Sequence, residues 1–225
     1  DLENNKIIER PNYYKIDEKL SNAVELKEID FKYYGSEENI FKNLNISIQK
    51  NKHTVITGPN GSGKSTLLGI VSKIFYPEEG SVKINSNKLG YVGVTPLIVN
   101  DTLRNNLLYG NNSEKTDEEI QALINEFELF NNDEKNLETI VDSKSLSSGQ
   151  MQKISFIRAL LADTDLLLLD ESTSNLDFQT KDLIFNILKN KEITIVNSTH
   201  NHEDFEYDFH LRISYSNENR IIHYL

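Results

Sequence analysis

The sequence predicts an α/β fold: a mainly parallel sheet, an N-terminal antiparallel β subdomain and a helical subdomain. Three observations predict it. Between 165 and 199 a strand pattern ("DLLLLDES"), a helical pattern ("QTKDLIFNILKN") and another strand pattern ("EITIVNST") follow one another. Such alternation marks parallel strands joined by helical crossovers. From about 100 to 160 the texture turns helical, with apolar residues at spacings of three and four. Finally, a glycine-rich turn, "GPNGSGKST", sits between the apolar run "TVIT" and the apolar helix start "LLGIVSKIF".

Taken in chain order, residues 1–22 are polar, without a sustained period, and read as a linker. "AVELKEIDFKYY", "IFKNLNISIQ" and "HTVITG" read as short strands. In the second, Ile40, Leu44, Ile46 and Ile48 mix with polar residues, as in half-buried strands. "GSVKINS" and "KLGYVGV" continue the β pattern. "DTLRNNLLYG", "TDEEIQALINEFELF" and "GQMQKISFIRALLA" read as helices, the middle one N-capped by Thr116 or Asp117. The tail, "FHLRISYSNENRIIHYL", reads as a closing strand pair turning around 217–219. The division is therefore a linker at 1–22 and one domain at 23–225, its helical part at about 97–160.

At 225 residues the chain can build one full α/β core. Its net charge of −11 argues against a nucleic-acid groove, which needs a basic surface. Without cysteine there is no disulfide framework and no thiolate metal site. The longest apolar run, Leu166–Leu169, is far short of the ~18 residues of a membrane span. No stretch near residue 1 has the pattern of a signal peptide. The chain opens at Asp1 and its only methionine is Met151, so the expectation is a fragment of a longer polypeptide.

"GPNGSGKST" fits G-x-x-x-x-G-K-[ST], and the flanking strand and helix make it the phosphate loop of a P-loop NTPase core. Over Gly58, Pro59, Asn60, Gly61, Ser62 and Gly63 the backbone can curl its N–H groups toward phosphate, and the following helix adds its positive end. Lys64 supplies charge to the β- and γ-phosphates, and the Ser65 hydroxyl suits Mg²⁺. "LLLLDE" delivers Asp170 at the carboxyl end of a buried strand, where open α/β sheets place their ligands. Asp170 would hold Mg²⁺ through its water shell, and Glu171 would polarise an attacking water. His200 follows the strand "EITIVNST", placed near a γ-phosphate, although a lone histidine is more often a surface or packing residue.

One motif, "LSSGQ" (146–150), carries no acid, base, nucleophile or metal ligand. Flanked by the phosphate loop before it and "LLLLDE" and His200 after it, it makes the chain from about residue 24 onward resemble the nucleotide-binding domain of an ATP-binding cassette (ABC) protein. "LSSGQ" resembles that family's signature motif. The resemblance implies two domains paired head to tail with two ATP molecules sandwiched. In that pairing Ser147, Ser148, Gly149 and Gln150 close over the γ-phosphate on the other domain. Ser147 would offer a hydroxyl, Gly149 a backbone N–H and the following helix its positive end. Tyr33 resembles the aromatic that stacks on adenine, with Tyr34 the next candidate. Thr66 would reach the α-phosphate. "SNLD" (174–177) resembles the loop that touches the opposite domain, with Asp177 as its acid.

The family's usual glutamine, which touches Mg²⁺ and links the site to a membrane partner, is replaced by Val94. Ser148 stands where a second glycine is common, and an "ERG"-like element is missing. The resemblance implies an ATP hydrolase with ATP and Mg²⁺ as cofactors, and "VNDTLRNNL" resembles the exporter version of its region more than the importer one. Its implied partners are a second copy of the domain and transmembrane domains in the same full-length chain. Its implied place is the cytoplasmic face of a membrane, a bacterial cell membrane in the first instance. Two other readings stay open. A soluble cassette of translation or DNA repair is one, but Ser65 to Leu146 leaves no room for the coiled coil of repair types, and translation types carry two cassettes. A regulatory cassette with weak hydrolysis is favoured by Val94 and opposed by Glu171.

Overall fold

The computed structural model describes residues 13–15, 21–111, 114–130, 136–204, 206–216 and 219–225. In chain order the elements are β1 (Tyr13–Lys15), β2 (Asn22–Phe31), β3 (Phe41–Gln49), β4 (His53–Thr57), α1 (Lys64–Val71), β5 (Glu79–Ile84), β6 (Leu89–Val92) and β7 (Asp101–Thr102). Then come α2 (Leu103–Leu107), α3 (Asp117–Glu126), β8 (Ile140–Val141), α4 (Ser148–Leu161), β9 (Leu166–Asp170), α5 (Phe178–Lys189), β10 (Thr194–Ser198), β11 (Phe209–Ser216) and β12 (Asn219–Tyr224).

The central sheet has the order β12-β11-β4-β10-β9-β6. Every pairing in it is parallel except β11 with β12, which closes the chain as an antiparallel pair. The turn expected at 217–219 falls largely outside the described residues. A second sheet, β1-β5-β2-β3, is antiparallel through β5, β2 and β3. Here the structure departs from the linker reading of 1–22: Tyr13–Lys15 add a strand parallel to β5 along Val82–Ile84, and Asn22 already opens β2. The rest of that segment, 1–12 and 16–20, lies outside the described residues. An isolated three-residue strand has no sequence signal of its own, because its stability comes from the edge it joins.

β9 shows why the sheet forms where it does. Leu166 and Leu168 pack into a core shared with α1 and the antiparallel sheet, while Leu167 and Leu169 pack into a second core with α2, α3, α4 and α5. All four leucines are fully buried, which is why this parallel strand reads as a continuous apolar run rather than an alternation. The period of two carries one step further: Asp170 falls on the Leu166/Leu168 face, the side of α1.

The helical part forms as expected, α4 ending at Leu161, with an unforeseen two-stranded pairing of β7 with β8. Of the two cap candidates, Thr116 wins. Its hydroxyl accepts from Glu119 N–H and the Glu119 carboxylate accepts from Thr116 N–H, a reciprocal capping box. The Arg104 guanidinium ties α2 to this helix by a two-pronged ion pair with Asp117, and also binds Glu138. These side chains are partly or fully exposed, so the pairs orient more than they stabilise.

Candidate functional site

The site is built where β4 and β9 end beside the start of α1. Gly58 and Gly63 are required by geometry. Gly63 has φ +101, and a Cβ there would lie 2.8 Å from the Phe41 ring; a Cβ on Gly58 would lie 2.6 Å from the Ile213 carbonyl oxygen. Only glycine lets the loop curl this tightly against the core. The loop then enters α1 without a side-chain cap. Every other α-helix among the described residues is capped by a hydroxyl or carboxylate: Thr102 for α2, Thr116 for α3, Ser147 for α4 and Asp177 for α5. The first-turn N–H groups of a helix need an acceptor, and at α1 the chain's own side chains supply none. An anion fits there.

Around that end the polar groups converge. The Lys64 side chain is only 5% exposed, and its ammonium donates to the carbonyls of Gly58 (3.0 Å) and Pro59 (3.4 Å). It lies 3.8 Å from Glu171 Oε1. The same carboxylate oxygen is 2.9 Å from His200 Nε2. Ser65 Oγ donates to Asp170 Oδ1 at 3.0 Å. A carboxylate and a hydroxyl side by side are the hard oxygen donors that Mg²⁺ takes when phosphates and water complete its shell, so these residues fit that metal. Glu171 itself has φ +50, in the left-handed region, with its N–H donating to Ser198 O. The chain thus bends sharply after Asp170, and the two adjacent carboxylates diverge, Asp170 toward Ser65 and Glu171 toward Lys64 and His200.

Tyr33 stands over the same region. Its hydroxyl shares a 2.7 Å hydrogen bond with Thr66 Oγ1, and its ring meets Phe31 and Phe75 edge-on at 5.2 and 5.4 Å. The ring remains 40% exposed, while Tyr34 is wholly exposed. The Thr66 side chain, read from the sequence as a phosphate contact, is here engaged with Tyr33.

Residues 41–174 match the family described as ABC transporter. The chain belongs to the ABC transporter family. It is 34% identical to an ATP-dependent permease, MDL1, of Candida albicans over 83% of this chain and 30% of that protein. It is 32% identical to a putative export ATP-binding/permease protein of Rickettsia prowazekii, over 79% of this chain and 34% of that one. The matched segment is 30% identical to an ATP-dependent lipid A-core flippase of Vibrio cholerae, across 34% of its length. The chain therefore spans about a third of the length of these relatives. Its fold superposes on a bacterial Atm1-family ABC exporter with ATP bound, at a TM-score of 0.79 and 23% identity, covering 91% of this chain and 39% of the other.

In this cassette the signature motif forms the start of α4. Ser147 Oγ accepts from Gln150 N–H, and Gln150 Oε1 accepts from Ser147 N–H. Both side chains thus serve their own helix, though the Ser147 hydroxyl keeps its proton free to donate. Ser147 and Ser148 are exposed. A Cβ on Gly149 would meet only Ser147 Oγ, at 4.0 Å, so nothing within the chain requires glycine there. Asp177 also serves its own chain, accepting from the N–H and hydroxyl of Thr180, and these bonds hold its carboxyl below the usual range. The described bonds of the signature and of Asp177 stay within these helix starts, whereas the phosphate loop, Asp170, Glu171, His200 and Tyr33 form one connected group.

Two cassette residues at the site carry no motif. Arg220, on the C-terminal strand β12, donates to the Gly61 carbonyl at 3.3 Å and to the carbonyls of Asn39 and Ile40, with its side chain 5% exposed. It braces the phosphate loop from the far end of the chain. Tyr91, on β6 and 42% exposed, donates its phenol proton to Asp170 Oδ2 at 2.8 Å. Val94 is 43% exposed, and Gln152 of α4 donates to the carbonyl of the neighbouring Gly93.

Proposed function

We propose that this cassette is the nucleotide-binding domain of an exporter-type transporter, coupling ATP hydrolysis to substrate movement across a membrane. The observation that carries this reading is the uncapped, glycine-entered start of α1, facing Lys64, Asp170 and Glu171. The names of the relatives from Rickettsia and Vibrio support export. The backbone of Gly58–Thr66 cradles the phosphates and Lys64 neutralises their charge. Ser65 and, through water, Asp170 would hold Mg²⁺, whose charge would screen the β- and γ-phosphates. Glu171 takes a proton from the attacking water, and His200 holds the Glu171 carboxylate in place and contacts the γ-phosphate. Tyr33 stacks on adenine. A second copy supplies Ser147, Ser148, Gly149 and Gln150 over the γ-phosphate, and Asp177 meets that copy. Transmembrane domains of the longer protein place the cassette at the cytoplasmic face of the membrane. Among the described residues no helix is long and apolar enough to cross one.

The test is Mg²⁺-dependent release of phosphate from ATP by the purified chain, measured against the same reaction in EDTA. A chain that binds ATP but releases no phosphate with Mg²⁺ would leave only a regulatory cassette.

The adenine contact has its own test. Tyr33→Ala is expected to weaken ATP by on the order of 1 kcal/mol, while binding of inorganic triphosphate changes little. Tyr33→Phe keeps the ring, losing only the bond to Thr66, and should retain the preference for ATP. Calorimetric titration with both ligands checks this; equal losses for the two would make Tyr33 a packing residue.

A further inference from the structure

We propose that Tyr91 is the positioning residue for Asp170: its hydroxyl fixes the carboxylate through which the cassette holds its divalent metal. The inference rests on the metal site proposed above. Its geometry comes from the pairing of β6 with β9. The register sets Tyr91 opposite Leu168 and Val92 opposite Leu169. Val92 packs into the core shared with α2 and α4, so the alternation of the strand turns Tyr91 to the other face, the side of α1. Leu168 and Asp170 share that face, and a tyrosine is long enough to span the two residues between its own level and the strand end.

The two oxygens of Asp170 are therefore held from opposite sides. Ser65 Oγ donates to Oδ1 at 3.0 Å and Tyr91 OH donates to Oδ2 at 2.8 Å. A single hydrogen bond leaves a carboxylate free to turn about its last torsion; two bonds to different oxygens do not. Mg²⁺ demands near-ideal octahedral geometry and keeps several waters, so the orientation of the Asp170 carboxylate that those waters would meet bears on its affinity. Outer partners of metal ligands commonly contribute 10–100-fold to metal affinity. Val94, on the loop that follows β6, offers no polar atom, whereas Tyr91, three residues earlier, does.

The test compares binding of a non-hydrolysable ATP analogue with Mn²⁺ and with EDTA, for wild type and Tyr91→Phe, and follows the electron paramagnetic resonance of the bound Mn²⁺. Tyr91→Phe removes one oxygen and should leave affinity in EDTA unchanged. The gain in affinity that Mn²⁺ confers should fall about 10-fold, and the Mn²⁺ spectrum should broaden as the ligand set loosens. In an Asp170→Ala background the same substitution should add no further loss, because the hydroxyl then has nothing to orient. Three results overturn the proposal: an undiminished Mn²⁺ gain in Tyr91→Phe, an equal loss in EDTA, or a full further loss on top of Asp170→Ala. A wild-type chain that binds the analogue equally with and without Mn²⁺ would remove the metal site itself, and Tyr91's part with it.

Discussion

Glu171→Gln is expected to slow ATP turnover by ~10²–10⁴-fold, the usual contribution of a positioned base. The substitution keeps the length of the side chain and its bond to His200, and glutamine tolerates φ +50 no worse than glutamate does. What disappears is the basicity, and with it a negative charge 3.8 Å from Lys64. Removing that charge should favour the ATP-filled state, since Lys64 then faces phosphate without a competing carboxylate. The variant should accumulate as an ATP-bound dimer, visible by size-exclusion chromatography with light scattering at high protein and millimolar ATP. Adding an arginine on the signature should abolish the dimer. Ser148→Arg is the cleaner choice, because Ser147 caps α4, and losing a cap costs about 0.5–2 kcal/mol of stability by itself. Ser148 is exposed and lies outside the capping box. Near-normal turnover in Glu171→Gln would remove Glu171 as the base. Tight ATP binding by a monomer would defeat the sandwich, and "LSSGQ" would be left as a helix cap alone.

Lys64→Ala should cost about 10²–10³-fold in turnover, the scale for deleting one preorganised donor to developing negative charge. ATP affinity should fall with it. The ammonium is nearly buried and holds the Gly58 and Pro59 carbonyls, so the loop loses its internal cation along with its ligand contact. The fold should survive, because Lys64 belongs to neither apolar core. Thermal unfolding separates the two effects. A variant that melts near wild type yet fails to bind ATP supports the assignment, and one that hydrolyses ATP normally removes it.

The groups of this candidate site were legible in the sequence because they are local. A phosphate loop must put glycines, a lysine and a hydroxyl at fixed offsets around one strand–helix junction, and that spacing survives in the linear chain as Gly58 to Thr66. The same holds for Asp170 and Glu171 behind four buried leucines, and for the start of α3, where the sequence offered Thr116 or Asp117 as the cap and the structure uses Thr116. The apolar patterns placed the helices and strands within a few residues, since burial on one face or both imposes the period.

What tertiary structure decided are the contacts between residues far apart in sequence. Tyr91 finds Asp170 across 79 positions, and Arg220 finds Gly61 across 159. Neither has a motif, because such a pair needs only that two strands end at the same place, and strand order is set by the packing of two cores. Tyr13–Lys15 become a strand only because β5 offers an open edge. The cap that Ser147 makes with Gln150 is local, and the sequence already reads as a polar helix N-terminus there. Sequence determined which groups the site contains; the register of β6 against β9, fixed by the apolar face of each strand, decided which of them touch.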